Sequence, residues 1–550
     1  MDKRKGTINV TVSIVFRMVI LILNILVRRY LIRCIGDEIN GLNSLYISIL
    51  DFLAVAELGV GSAITFCMYK PIVDGDNDKV SALYGLFTKL YLIIGGIILA
   101  AGCIIMPLLP FVAKGYQDVD VNLYLTFGLT LIAVVMTYLF SSKTSLINAY
   151  KNNYITVTIS SVGQILQNAV QIAVLVCTGS YIGYLLCRIA TSGLQWFVTD
   201  VITRKKYSNI IKNVRKIDAD TKKEVTKNIK AMFLHKIGGV LVNSADSIII
   251  STFLGVVILG KYSNYTTIMA AMFSVLCLCF SPLTSVIGHM FVEESNERAL
   301  RYLNFFHTFN YVLGVIFFLG YYAVIDNLIS ILFADGLELA KSVSFIITLN
   351  YFVQFMRQTV LLFRDATGTF YYDRWKPIAE GLTNIVLSVA FVFLFDYLWG
   401  ADYAVVGVIA ATILTNLCIC HVVEPHVLYK YALRTSTKKY YIRNYTYIAI
   451  FTGLLVALNF TMIKSDNEWI ELFANGAISL AYSLTASLVI ILSNKTFRSY
   501  LSVFFRKITS RKSSGIQACP ADGESVQGEN GESGVSGGAN GEEGKKDKEE

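Results

Sequence analysis

The chain has 550 residues, of which 54% are hydrophobic and only 16% are charged, and its net charge is +9. A soluble domain carries about a quarter charged residues, so this composition excludes an ordinary soluble protein. Runs of about twenty apolar residues recur along most of the chain, and such runs are long enough to cross a bilayer as helices. The sequence therefore predicts an all-α polytopic membrane protein.

The apolar runs predict about fourteen transmembrane helices, which we number span 1 to span 14. Span 1 follows the charged start MDKRK. It is too long for a cleaved signal peptide and lacks a small-residue cleavage site. The predicted spans cover 8–30, 40–67, 83–112, 122–147, 154–177, 181–203, 231–254, 264–291, 303–333, 342–364, 377–398, 403–428, 445–463 and 470–492.

The loops that follow even-numbered spans hold most of the lysine and arginine. Loops 204–223 and 429–443 are strongly basic, whereas the loops near 180, 400 and 466 are short and carry few basic residues. Basic loops stay on the cytoplasmic side, so we expect both termini in the cytoplasm. This distribution accounts for the net charge of +9 without nucleic-acid binding.

An internal repeat relates the two halves of the chain at an offset of 219 residues. The stretch IGDEINGLNSLY (35–46) aligns with LGVVILGKYSNY (254–265), and two glycines and the final tyrosine coincide. Six spans separate the copies, an even number, so both halves have the same orientation. The repeat predicts two six-helix lobes related by a pseudo-two-fold axis along the membrane normal, with a cavity between them.

These features divide the chain into two lobes, a connecting loop, two extra helices and a tail. The tail is rich in glycine, serine and glutamate and cannot bury a core, so we expect it to be disordered in the cytoplasm. The predicted boundaries are 1–203 for the N-terminal lobe, 204–230 for the basic loop, 231–428 for the C-terminal lobe, 429–507 for the extra helices and 508–550 for the tail.

Span 1 carries a cation near its middle. Arg17 lies about a dozen residues past the charged start, which at 1.5 Å per residue places it near the bilayer midplane. An arginine there costs from ~2.5 to more than 10 kcal/mol. The repeat places Lys236 at the position equivalent to Arg17, and Asn243 at that of Asn24. A tolerated charge would have no reason to recur, so we predict a function for this face.

Spans 5, 6 and 10 carry further polar stripes, and such faces must meet protein or a water-filled cavity. Interhelical ion pairing is the alternative explanation, and for Arg188 and Arg357 both explanations stay open. The candidates for substrate binding in the cavity are Arg17, Asn24, Lys236, Asn243, Arg188, Arg357, Gln164 and Gln171.

We take Asp51, Glu57 and Asp246 as the acids that are available inside the membrane. They are candidates for coupling or charge pairing. For Glu57 we favour a structural ion pair, because it lies on the face of the helix opposite Asp51. The deep cations outnumber these acids, which predicts that an anionic substrate group crosses the cavity. Phosphate or pyrophosphate fits, since arginine binds it in a bidentate manner and lysine binds it as a point charge.

The segment 41–72 resembles the second span of lipid-linked oligosaccharide flippases. These Wzx-type exporters of O-antigen or capsule repeat units belong to the MOP exporter superfamily. Their G-L-x-x-L-(F/Y) start leads into (A/S)-E-L-G-(I/V)-G-x-A, which is AELGVGSA at 56–63 here. The segment 243–265 resembles the matching start of the second half.

The resemblance implies a transporter without enzymatic activity, cofactor or metal. It implies two six-helix lobes with two further helices, in a bacterial plasma (inner) membrane. It also implies alternating access that moves a polyprenyl-pyrophosphate-linked oligosaccharide from the cytoplasmic to the outer face for polysaccharide biosynthesis. Membrane lipid, a polysaccharide polymerase and glycosyltransferases are the implied partners.

Two other branches of the superfamily remain as alternatives. Multidrug or cation exporters rely on acidic residues in their lobes, and the first span here has no acid. Peptidoglycan lipid-precursor flippases typically show an Arg-Asp pair in the first span, whereas Met18 follows Arg17 here. The DAD motif at 218–220 matches a sugar-transferase metal site but lies in a short basic loop, so we do not expect an enzyme.

Overall fold

The computed structural model describes residues 3–57, 60–212, 244–278, 280, 283–293, 296–494 and 497–499, with 215, 217, 223 and 225–226. Every regular element within those ranges is a helix. The chain divides into two compact units, Met1–Phe497 and Arg498–Glu550, and only the first two residues of the second unit are described. The predicted tail at 508–550 lies outside the described residues.

The N-terminal half, spans 1 to 6, follows the predicted order of helices. Polar caps set several starts: Asp76 accepts from the backbone of Lys79 at 2.9 Å, and Asn122 from that of Leu125 at 3.0 Å. The helices are Lys3–Ile35 (span 1), Asp37–Leu53 and Val60–Val73 (span 2), Asn77–Ile105 (span 3), Leu123–Ala149 (span 4), Asn153–Thr178 (span 5) and Tyr181–Lys206 (span 6).

The C-terminal half, spans 7 to 12, and spans 13 and 14 also follow the predicted order. Spans 8 and 10 are each divided into two helices, as span 2 is. The helices are Ser244–Leu254 (span 7, described part), Val256–Leu278 and Leu283–Glu293 (span 8), Asn296–Leu332 (span 9), Lys341–Met356 and Gln358–Thr367 (span 10), Lys376–Trp399 (span 11), Ala401–Thr415 and His421–Leu428 (span 12), Lys438–Thr461 (span 13) and Glu468–Ser493 (span 14).

Eight helices in the described part of the chain are long and apolar enough to cross a membrane. Two π-helical segments, Asn416–Cys420 and Tyr429–Leu433, interrupt and extend span 12. The all-helical, polytopic architecture predicted from the composition is therefore confirmed.

The starts of spans 2 and 8 cross with their backbones in direct contact. A Cβ atom added to Gly41 would lie 1.9 Å from the carbonyl oxygen of Val256, and one added to Gly260 would lie 2.6 Å from that of Asp37. Gly41 and Gly260 are equivalent in the 219-residue repeat. Only glycine permits this approach, which explains why both copies carry it.

Other repeat-equivalent residues behave alike. Gly36 and Gly255 precede the two helices with φ of +116° and +103°, a conformation that favours glycine. Ser44 donates a hydrogen bond to Ser263, its own equivalent, at 3.0 Å. Equivalent residues that contact each other must lie near the axis relating the two copies, so the repeat has the geometry of a pseudo-two-fold axis between spans 2 and 8.

Further hydrogen bonds between the halves lie at the same end of the molecule, where span 1 ends and span 8 begins. Arg33 donates to the carbonyl of Phe333 at 3.0 Å. Lys114, in the loop after span 3, donates to the carbonyl of Phe253 at 2.7 Å, and its own carbonyl accepts from the backbone of Val256. Spans 2 and 8 make the most extensive helix contact between the halves in the described ranges.

Candidate functional site

Arg28 of span 1 is one of the cations at the contact between the halves, and it makes the most side-chain hydrogen bonds there among the described residues. Its guanidinium donates to the carbonyl oxygen of Ser263 at 2.9 Å and to the hydroxyl of Ser44 at 3.2 Å. It also hydrogen-bonds the hydroxyls of Ser263 and Thr267. One arginine therefore joins span 1 to both span 2 and span 8.

A buried amide and carboxylate cluster lies beside this arginine. Asn40 donates to Asp37 at 3.1 Å and to Asn264 of the other half at 3.0 Å. Asn264 also donates to Asp37, at 3.2 Å. Because all three side chains are buried, separating the halves here would break hydrogen bonds that now connect the two halves, although one carboxylate oxygen of Asp37 has no hydrogen-bond partner.

The predicted stripe of span 1 meets span 5. Asn24 accepts a hydrogen bond from Asn168 at 2.8 Å. Arg17 lies two turns earlier on the same face, is exposed, and has no hydrogen bond or ion pair among the described residues. Spans 1 and 5 run in the same direction, so Arg17 lies level with the exposed Ser160 and Gln164.

Gln171 is buried and has a different environment from Gln164. Its amide donates to the carbonyl oxygen of Tyr184 in span 6 at 3.2 Å. One turn earlier, Gln167 accepts from the hydroxyl of Thr191, also in span 6, at 3.1 Å. The glutamine stripe therefore divides into a buried part that packs against span 6 and an exposed part at the level of Arg17.

Arg188 of span 6 is half-buried and lies close enough to the exposed Asp51 of span 2 for an electrostatic interaction. It also interacts with the ring hydroxyls of Tyr181 and Tyr184. Glu57, on the other face of span 2, hydrogen-bonds Tyr138 of span 4. The two acids of span 2 thus have separate partners.

Asp246 is a buried carboxylate in the C-terminal half. It accepts a hydrogen bond from Thr412 of span 12, with oxygen–oxygen distances of 3.1 and 3.3 Å. Asn384 of span 11 donates to the same hydroxyl at 2.8 Å. The side-chain oxygens of Asn384 and Ser388 are buried without a hydrogen-bond partner. Lys236 and Asn243 lie outside the described residues.

Arg357 belongs to a buried ion-pair network and not to an open stripe. It donates to both carboxylate oxygens of Glu424, at 3.1 and 2.6 Å, and to Glu380 at 3.3 Å and Asn416 at 2.5 Å. Lys376 completes the network at 2.6 Å from Glu424 and 2.7 Å from Glu380. Two cations and two carboxylates balance, so in this conformation the charge of Arg357 is neutralised inside the protein.

Glu380 and Glu424 are buried acids that are not expected inside the membrane from the sequence alone. Each lies close to a basic loop, at the end of a predicted span, where a solvated charge is the ordinary expectation. The signal was present in Lys376 and Glu380, which stand one helical turn apart on the same face. Both acids are nearly inaccessible in the structure, with side-chain exposures of 10% and 1%.

Comparisons with known proteins show the fold. The sequence matches no protein-family model and no curated protein. Among solved structures, the chain is similar to the lipid II flippase MurJ in an inward closed conformation, with a TM-score of 0.61 and 14% identity over 92% of this chain and 99% of that one.

Two further structures are similar over a smaller share of the chain. A multidrug resistance MATE family transporter of the MOP superfamily, in an inward-facing conformation, has a TM-score of 0.53 and 12% identity over 80% of this chain and 99% of that one. The MATE transporter VcmN of Vibrio cholerae has a TM-score of 0.50 and 12% identity over 76% of this chain and 95% of that one. The protein thus has a polytopic, MOP-like transporter fold.

Proposed function

We propose that the protein flips a polyprenyl-pyrophosphate-linked oligosaccharide from the cytoplasmic to the outer leaflet, for cell-surface polysaccharide biosynthesis. One observation carries this proposal: within a MOP-like fold, span 1 holds Arg17 exposed, without a partner among the described residues, on the face that meets span 5. An unpaired cation at that depth is unfavourable unless an anion or water compensates it. A pyrophosphate supplies that anion.

The same face offers groups for the sugar. Gln164 is exposed at the level of Arg17, and Ser160, at the same level, lines a cavity with Gln195 and Thr199 of span 6. Amides and hydroxyls both donate and accept hydrogen bonds, as recognition of sugar hydroxyls requires. We place the pyrophosphate at Arg17, Lys236 and Arg188, and the sugar along the exposed part of the glutamine stripe, leaving Arg357 in its structural network.

Asp51 supplies the counter-charge of Arg188 when substrate is absent, and a bound pyrophosphate displaces it. Asp246 is the candidate coupling acid of the other half, because it is buried and its hydrogen-bond donor Thr412 also bonds Asn384, whose side-chain oxygen has no hydrogen-bond partner. Arg28, Ser44 and Asn40 close one end of the path between the halves. With the predicted cytoplasmic termini in a bacterial plasma membrane, that end is the outer one, so substrate enters from the cytoplasm.

A peptidoglycan lipid-precursor flippase is the second candidate. The similarity to MurJ supports it, because that similarity covers 92% of this chain whereas the MATE similarities cover 76% and 80%. Both candidates carry a polyprenyl pyrophosphate. A multidrug or cation exporter, the third reading, would depend on Asp51 and Asp246 and tolerate the loss of Arg17.

The test is transport of a fluorescent polyprenyl-pyrophosphate sugar in proteoliposomes. We expect the wild type to move the lipid and the R17Q/K236Q variant to move it at least about tenfold more slowly, with an unchanged size-exclusion profile. K151Q/K464Q removes two exposed loop cations and should transport normally. Normal transport by R17Q/K236Q would refute the proposed role of Arg17 and Lys236 in binding the pyrophosphate. Wild-type protein that moves only lipid II, or only cationic drugs, would select the second or third reading.

A further inference from the structure

The turn between spans 12 and 13 borders a cavity of about 700 Å³ that is open to the surface. Its charged lining is basic: Lys430, Arg434 and Lys438 surround it, and no carboxylate lines it. The three cations are exposed and have no ion pair among the residues that the structure describes. Hydroxyl groups of residues 435–437 form the floor. Such a lining attracts an anion with several oxygen acceptors, which is the chemistry of a phosphate group.

The backbone of this turn holds the cations together. Arg434 has φ of +51°, a left-handed conformation that is uncommon for a residue with a side chain. The bend lets the backbone of Thr435 donate to the carbonyl of Tyr429 at 3.1 Å, which turns the chain back toward Lys430. Held strain of this kind is frequent at binding sites.

The start of span 13 is also arranged for an anion. Lys438 and Lys439 occupy its first turn, and Thr437 makes no side-chain capping hydrogen bond. Cations at a helix N-terminus oppose the helix dipole, whereas an anion there is favourable. A phosphate bound in the cavity would compensate the charge of Lys438, whose backbone N–H donates to the hydroxyl of Ser436 at 3.4 Å.

Aromatic side chains beside the cavity indicate where this phosphate comes from. Tyr431 stacks on Tyr372 of the loop between spans 10 and 11, with ring centroids 3.8 Å apart and planes 4° apart. Tyr371 and Trp375 of the same loop are 61% and 63% exposed. Tyrosine and tryptophan concentrate at the headgroup level of membranes, alongside lysine and arginine. The rim therefore suits a headgroup held at the membrane surface.

We propose that this basic cavity and its aromatic neighbours bind the phosphate of an anionic phospholipid headgroup at the rim of the C-terminal half. Lys430, Arg434 and Lys438 hold the phosphate oxygens, and Trp375 and Tyr371 lie among the surrounding headgroups. The site is separate from the pyrophosphate path at Arg17. It anchors the C-terminal half to the bilayer while the other half moves.

The test uses full-length, delipidated protein in neutral detergent and native mass spectrometry of bound lipid. We expect phosphatidylglycerol to bind at least about tenfold more tightly than phosphatidylcholine, and K430Q/R434Q/K438Q to lose that preference. The matched control K205Q/K206Q/K212Q removes three exposed cations from the end of span 6 and the start of the basic loop, and this variant should keep the preference for phosphatidylglycerol. Equal loss in both variants, or retention in the first, would overturn the proposal.

Two further measurements keep the result interpretable. R434G removes the guanidinium, and its glycine adopts the left-handed backbone conformation without strain. The variant should therefore fold normally but bind phosphatidylglycerol several-fold less tightly than the wild type. Inorganic phosphate at millimolar concentration should not displace the lipid. If free phosphate binds in an Arg434-dependent manner and displaces phosphatidylglycerol, the site takes a soluble phosphate and the lipid assignment is wrong.

Discussion

Arg188 of span 6 and Arg357 of span 10 are both arginines within the helical halves, yet their surroundings differ. Arg188 is half-buried and interacts electrostatically with Asp51. Among the described residues, no hydrogen bond joins the two side chains. Arg357 donates to two carboxylates and an asparagine. The pairing in the C-terminal half fixes three helices to one another, whereas in the N-terminal half Arg188 interacts with an acid without an ion pair among the described residues.

Span 13 adds to the fixed character of the C-terminal half. Asn444 hydrogen-bonds His307 of span 9 at 3.1 Å and His421 of span 12 at 3.0 Å, and His421 also bonds the carbonyl of Val353 at 3.0 Å. These groups are all buried. These contacts join spans 9, 10, 12 and 13 through buried side chains, so we expect the four spans to behave as one rigid body.

Of the substitutions predicted here, Glu424→Gln should lower the free energy of unfolding the most. The substitution leaves Arg357 and Lys376 with one remaining carboxylate in a buried site, and breaking such a pair costs about 3–5 kcal/mol of unfolding free energy. Denaturant unfolding in detergent measures it. Asp365→Asn is the control, because Asp365 is 55% exposed beside Arg364 and its loss should change stability by less than about 1 kcal/mol. Similar values for both variants would refute the rigid-body view.

Gly41→Ala comes next and tests the contact between the halves. The added Cβ would overlap the carbonyl oxygen of Val256, so the conformation with spans 2 and 8 crossed should be disfavoured by about 3 kcal/mol. Disulfide formation in a Ser44→Cys/Ser263→Cys background reports the fraction in this conformation and should fall. Gly96→Ala, where the Cβ would meet nothing within 4 Å, should leave it unchanged.

The repeat shows how far the sequence predicted this architecture. Matching glycines and serines at the 219-residue offset were visible in the chain, and they meet in the structure because a two-fold axis brings equivalent residues together. Helix order followed from apolar run length in the same way. Both signals depend on spacing along the chain, which a single sequence contains.

Contacts between distant helices were not visible. Arg357 and Glu424 are 67 residues apart on different spans, and the sequence around each residue does not indicate that the two helix faces are in contact. The rotation of each helix about its axis decides whether a deep arginine meets a carboxylate, a cavity or lipid. The polar stripe of span 10 therefore looked like that of span 6, although only the former faces two acids.

Arg28→Met should have a smaller effect than Gly41→Ala. It removes charge-assisted hydrogen bonds to Ser44, Ser263 and Thr267, each of which keeps other partners, so we expect about 2 kcal/mol loss for the crossed conformation. In the Ser44→Cys/Ser263→Cys background Arg28 keeps only the carbonyl oxygen of Ser263 and the hydroxyl of Thr267 as acceptors, so the cross-linking assay reports the loss of these two bonds. Arg33→Met is the matched control, because it removes a single described hydrogen bond to a carbonyl and should change cross-linking less.

Arg188→Gln should have the smallest effect on stability and a large effect on transport. Its electrostatic interaction with Asp51 is solvent-screened, so unfolding free energy should change by less than about 1 kcal/mol, while lipid transport should fall at least tenfold. Arg357→Gln should instead lower the free energy of unfolding so strongly that the protein unfolds before its transport rate can be compared. Arg188→Lys keeps the charge and should retain partial transport. If Arg188→Gln destabilises as much as Arg357→Gln, the two arginines share a structural role, and the N-terminal half has no reserved cation in span 6.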